Sequence, residues 1–344
     1  MKKIKLSILD QSPVRKGSTA EEALRESARL VKLADRLGYT RYWVSEHHNI
    51  PGLAGSAPEV LIPYLASQTR HIRVGSGGIM LPNHSALKVA ENFRLLEALF
   101  PGRIDLGMGR APGGDRLTAL LLNPSNNFDE KAFLQQLADL SGFLYDDRAA
   151  GALHEKVKAI PRAATVPELW LLTSSGESAL FAAHMGMGLS FAQFINPSGG
   201  PAALQLYRER FRPSRQFPEP VVSVGIFAGC ADTEEKAAEL QAVMDYRLLN
   251  IEKGNRDATP SYEEIKHIEY TEPELARIYF NRKRMVFGTP EQVKQQIQCL
   301  ADSFDADEFV IATITDDFGD RLRSYELLAE AFDITPTFAP AEIP

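Results

Sequence analysis

Two adjacent imidazoles beside a carboxylate stand out first, in Ser45-Glu46-His47-His48-Asn49. Histidine exchanges protons near neutral pH, so one of this pair suits proton transfer or the holding of a developing oxyanion. A shared metal ion fits poorly, because adjacent side chains leaving a strand point to opposite faces and no further His/Cys spacing completes a ligand set. A second run, Val74-Gly75-Ser76-Gly77-Gly78-Ile79-Met80-Leu81-Pro82, lacks a Cβ at three of four successive positions. Such backbone adopts unusual dihedrals and lets a flat ligand lie against it, with an ordinary glycine turn as the plainer alternative.

Two more segments complete the set. Gly102 to Gly114 carries Arg110 among its glycines, and a guanidinium there suits a phosphate or a ring oxygen, or else a structural ion pair. As a dinucleotide fingerprint this stretch is weak, since the acidic residue and strand order of that fold are not evident. Thr173-Ser174-Ser175-Gly176-Glu177-Ser178 precedes a helical pattern. Small hydroxyl residues at a helix N-terminus suit a phosphate monoester, although serine also caps many helices without any ligand.

What positions these residues is a repeating unit: a short apolar run, a Gly or polar turn, then an amphipathic helical stretch. That alternation is the pattern of parallel βαβ construction. Eight units can be counted, with strands expected at 4–9, 41–45, 72–76, 103–108, 168–173, 188–193, 221–228 and 308–312. A helix is expected over 19–37, ended by Gly38. Each chemical segment follows a strand, which is where a (β/α)8 TIM barrel carries its active site. Three stretches, 111–127, 146–166 and 251–287, read as loop insertions rather than separate cores, giving one barrel domain over 1–333. The remainder, 334–344, is a Pro-rich C-terminal tail.

The whole-chain properties agree with a soluble enzyme: 344 residues, 44% hydrophobic and 24% charged. A net charge of -7 without a Lys/Arg block argues against nucleic-acid and membrane partners. Cys230 and Cys299 are far apart and suggest neither a disulfide framework nor a metal site. The N-terminal apolar run ends at Asp10, too short for a signal peptide, so a cytoplasmic location is expected.

In this order, RYWVSEHHNI, VGSGGIMLPNHS, FPGRIDLGMGRAPG and ELWLLTSSGESA resemble the luciferase-like monooxygenase family, particularly its single-component bacterial members, over roughly residues 1–330. The resemblance implies a (β/α)8 barrel, FMN as cofactor, and oxygenation of a small organic substrate through a C4a-hydroperoxyflavin. It implies that His47 is the catalytic residue and that Gly77-Gly78 are joined by a cis bond beneath the flavin ring. Ser174, Ser175, Gly176 and Ser178 would hold the phosphate, and Arg110 would lie near the flavin. Asp10, Ser12 and His48 would line the substrate pocket. Reduced flavin from a separate reductase and a homodimer are implied as well. Gly109 stands where light-emitting relatives carry a reactive cysteine, which argues against bioluminescence. Two alternatives remain on the same barrel: hydride transfer with a deazaflavin (F420), and flavin binding without catalysis. On this reading Gly78→Val should obstruct the flavin and leave the barrel folded.

Overall fold

The computed structural model describes residues 3–125, 129–147 and 152–336. Its nine strands are β1 Lys5–Asp10, β2 Arg41–Val44, β3 Arg73–Met80, β4 Ile104–Gly109, β5 Glu168–Thr173, β6 Gly188–Ala192, β7 Val222–Cys230, β8 Met285–Gly288 and β9 Glu308–Ala312. All the pairings are parallel, and they run β1 through β7 in order, then from β7 to β9 and from β9 back to β1. Eight strands therefore close into a (β/α)8 barrel. Burial on both faces explains their near-continuous apolar runs, as in β7, where every residue is buried.

Side chains alternate across the barrel wall. On β1, Leu6 and Ile8 pack outward with the helices, whereas Leu9 packs inside with Trp43 and Trp170. The two indoles meet edge to face at 5.5 Å between ring centroids. Beneath them lies a buried ionic cluster at the N-terminal ends of the strands. Arg41 Nε donates to Glu308 at 2.6 Å and its Nη1 to Asp105 at 2.8 Å, while Arg73 Nε donates to the same Asp105 at 2.7 Å.

Helix Ala20–Leu37 matches the expected span, with Thr19 Oγ1 accepting from the Glu22 N–H and Gly38 ending it in the left-handed conformation at φ 90°. Such a φ places glycine there for steric reasons. Other expectations need correction. The strand expected at 72–76 runs on to Met80, because Gly77 still pairs with Gly107 and Met80 with Gly109, across a register shift after Gly77. Its glycines thus belong to the wall, not to a loop beyond it. The insertion 251–287 contains helices Tyr262–Ile265 and Glu272–Asn281 and the start of β8. That strand has only three apolar residues before Gly288, too short a run to register as a strand in sequence. The tail enters the described residues only as far as Pro336. Among the described residues, no helix is long and apolar enough to cross a membrane.

Candidate active site

At the C-terminal mouth of the barrel a cavity of about 540 Å³ opens between the segments that follow β1, β2, β4, β6 and β9 and one side of helix Glu234–Glu252. His47, two residues past Ser45, lines it. Ser45 Oγ lies 3.0 Å from His47 Nδ1. Burial, assisted by the nearby charges of His48, Arg247 and Arg256, lowers the His47 pKa from 6.5 to about 4, with Glu46 opposing. At neutral pH this imidazole is therefore uncharged and able to accept a proton.

Its neighbour turns the other way. His48 Nε2 lies 2.9 Å from Glu46 Oε1, and His84 Nε2 lies 2.9 Å from the same oxygen. Glu46 Oε2 accepts from the Met80 N–H at 2.8 Å. This fully buried carboxylate ties the loop after β2 to the end of β3. Burial pushes its pKa up, but the hydrogen bonds from His84, His48 and Met80 outweigh that and hold it below the ordinary value. The same partner raises the His84 pKa against the effect of desolvation. His48 is thus bound to a structural hub and is absent from the cavity lining.

Asp10 and Ser12 also depart from the expected pocket, for reasons of strand parity. Asp10 continues the outward-facing row of Leu6 and Ile8, and its carboxylate accepts from Arg321 at 2.7 Å, Tyr42 Oη at 2.6 Å and the Ser12 N–H at 2.8 Å. Those donors, with the Arg321 charge foremost, overcome burial and lower its pKa. Ser12 Oγ pairs with Ser27 Oγ at 2.9 Å, on the first helix. Gln11, of opposite parity to Asp10, lines the cavity in their place.

Across the mouth, the turn after β5 is held by Thr173. Its Oγ1 accepts from the Ser175 N–H at 2.9 Å, and Asn196 Nδ2 donates to the Ser174 carbonyl at 2.9 Å. Helix Gly176–Met185 starts from Ser175, whose side chain makes no capping hydrogen bond. The first N–H groups of that helix consequently lack the cap that Thr19, Ser85 or Thr233 supplies elsewhere. Ser178 is buried in the first turn. Arg110 reaches this turn, its Nη2 2.7 Å from Glu177 Oε2.

The Gly77–Gly78 peptide is cis. A Cβ built on Gly77 would stand 2.8 Å from Trp43 Cβ, and one on Gly78 would stand 2.8 Å from the Gly107 carbonyl oxygen. Glycine is needed at both positions by the barrel itself. The expectation that Gly78→Val leaves the barrel folded is therefore overturned, because backbone cannot yield as a flexible side chain does.

Sequence reasoning passed over Arg247, Arg256 and Arg284, which line the cavity with His47. For Arg247 a signal existed. Leu240, Val243, Met244 and Leu248 form the buried stripe of helix Glu234–Glu252, and an arginine interrupts it at helical spacing.

A family model described as luciferase-like monooxygenase matches residues 4–306. The chain belongs to the luciferase-like monooxygenase family. Among its relatives, YwcH of Bacillus subtilis is 50% identical over 96% of this chain and 99% of its own. The N-acetyl-S-alkylcysteine monooxygenase of Bacillus subtilis is 38% identical over 95% of this chain and 98% of its own. Apo-MsnO8, a solved structure, superposes with a TM-score of 0.90 at 38% identity, covering 97% of this chain and 99% of that one. The barrel and the cavity at its mouth accordingly belong to a chain that spans nearly the full length of these two relatives.

Proposed function

We propose that the protein is an FMN-dependent monooxygenase that places one atom of O2 in a small organic substrate and releases the other as water. The observation that carries this reading is His47: an imidazole that lines a largely apolar cavity at the barrel mouth, held by Ser45 at Nδ1 and kept uncharged at neutral pH by burial. The residues present fit the cofactor, because Ser175 leaves the first N–H groups of helix Gly176–Met185 without a side-chain cap, as donors a phosphate can use.

When bound, reduced FMN would supply two of the four electrons that reduce O2, the other two coming from the substrate as it takes up one oxygen. Ser174, Ser175, Gly176 and Ser178 hold the phosphate, with Arg110 beside them. The Gly77–Gly78 backbone offers a surface without side chains to the ring. Ile50, Leu53, Phe194 and Phe227 keep water from the reacting atoms. His47 Nε2 accepts a proton from the substrate and returns it as the product forms. A separate reductase and a homodimer belong to the same reading, and the exposed Val60, Tyr64, Leu95 and Leu99 on helices Pro58–Ala66 and Ala86–Leu99 support the dimer.

Calorimetry tests the phosphate site: FMN should bind and riboflavin should bind far more weakly. With reduced FMN and ¹⁸O2, one labelled oxygen should enter an accepted substrate, for which an N-acetyl-S-alkylcysteine is a first candidate given the name of the relative above. His47→Ala should bind FMN as before but turn over roughly 100-fold more slowly, the scale of a lost acid-base group. Equal affinity for the two flavins would remove the phosphate role. Anaerobic hydride transfer from reduced F420, without oxygen incorporation, would replace oxygenation with the deazaflavin reading.

A further inference from the structure

Among the described residues, four arginines are almost wholly buried, and three of them face a carboxylate: Arg41 meets Asp105 and Glu308, Arg94 meets Asp146, and Arg321 meets Asp10. The fourth, Arg247, is 7% exposed and makes one hydrogen bond among the described residues, from Nη1 to Thr259 Oγ1 at 2.8 Å. No carboxylate among the described residues forms an ion pair with it. A desolvated cation without a counterion is costly, and a protein rarely keeps one unless something else completes the pair.

The surroundings indicate what completes it. Arg247 lines the cavity with His47, and Arg256 and Arg284 add two more guanidinium groups, while neither Asp nor Glu contributes to the lining. Arg284 Nη1 lies 3.5 Å from Glu252 Oε1, while its buried Nε has no hydrogen-bond partner among the described residues. Much of the remaining lining is apolar, with Leu53, Phe194, Phe227 and Met244 among it. Burial lowers the Arg247 pKa only to about 10, so the group stays charged at neutral pH. Among the described residues no hydrogen bond engages its Nε–Nη2 edge, and two parallel N–H donors match the two oxygens of a carboxylate.

We infer that Arg247 anchors a carboxylate on the substrate, so that the substrate class is a small organic acid whose apolar body packs against Phe194, Phe227 and Met244 beside His47. This rests on the monooxygenase reading for the word substrate, but the anion site itself does not depend on the flavin. The flavin phosphate is not its occupant, since that group is assigned to the turn after β5 on another segment of the rim.

The test uses octanoate and its neutral isostere octanamide, titrated by calorimetry into the full-length protein with and without bound FMN. Octanoate should bind at least tenfold more tightly than octanamide. Arg247→Met should abolish that preference while FMN affinity is unchanged, and Arg247→Lys should keep only part of it, because an ammonium lacks the paired donors. Octanoate should also raise the pKa of the His47 imidazole, followed by NMR, by neutralising a nearby positive charge. That readout needs no variant and would not respond to a purely structural Arg247. Equal binding of acid and amide, a preference that survives Arg247→Met, or an unmoved His47 pKa would overturn the inference. Loss of FMN binding with the octanoate preference intact would instead overturn the flavin assignment and leave the anion site standing.

Discussion

The depressed His47 pKa makes the barrel mouth a source of acid sensitivity that one substitution should remove. In the folded chain this imidazole titrates at about 4, against 6.5 when exposed. Between those values the unfolded chain holds a proton that the native chain does not, so native stability falls as pH drops through 6.5 and continues to fall toward 4. Above about pH 7.5 both states are neutral and the effect vanishes. From those two pKa values, the loss amounts to about 2 kcal/mol at pH 5 and about 3 kcal/mol at pH 4. His47→Gln has no such group. Urea unfolding of wild type and variant at pH 7.5 and pH 5 should therefore show the difference between them shifting by about 2 kcal/mol in favour of the variant on acidification. The double difference cancels the carboxylates, which the two chains share. A difference that stays constant with pH, or an NMR titration of His47 near 6.5, would refute the desolvated, neutral imidazole on which the catalytic role rests.

Two further outcomes follow from the other side of the mouth and from the wall. Glu177→Gln should tighten FMN binding roughly two- to fivefold by calorimetry, because the carboxylate now held by Arg110 competes with an incoming phosphate at the same helix end. Gly78→Val should lower the thermal midpoint, or prevent soluble expression, whether or not FMN is present, since its Cβ would press on the Gly107 backbone. A folded variant with wild-type stability would show that the wall has more room than the structure gives it.

The barrel was readable because its strands are apolar on both faces and each is punctuated by glycine or polar residues. The first helix was readable to its ends because Thr19 and Gly38 are strong local signals. What escaped depended on which neighbour a residue meets. Gly77 and Gly78 look like a turn until Trp43 and Gly107 are placed against them. Asp10 and Gln11 are equally polar, and only strand parity sends the first toward Arg321 and the second into the cavity. Arg247 was visible as a charge within an apolar stripe, but that no carboxylate among the described residues pairs with it is a fact of tertiary structure.

The barrel closes in an uneven way on β7. Its first half, Val224 to Phe227, pairs with β9 and completes the ring, whereas its second half, Phe227 to Cys230, pairs with β8 outside the ring. The chain between them leaves β7 and returns to the edge of that same strand, so its length and sequence can change while the strand that closes the ring stays in register. Arg247, Arg256 and Arg284 all lie on this excursion, whereas Gly77, Gly78 and Ser174 to Ser178 lie on the ring or directly at its strand ends. Within a lineage, duplication followed by drift in residues 231–284 could therefore redirect what the enzyme accepts while its oxygen chemistry is inherited intact.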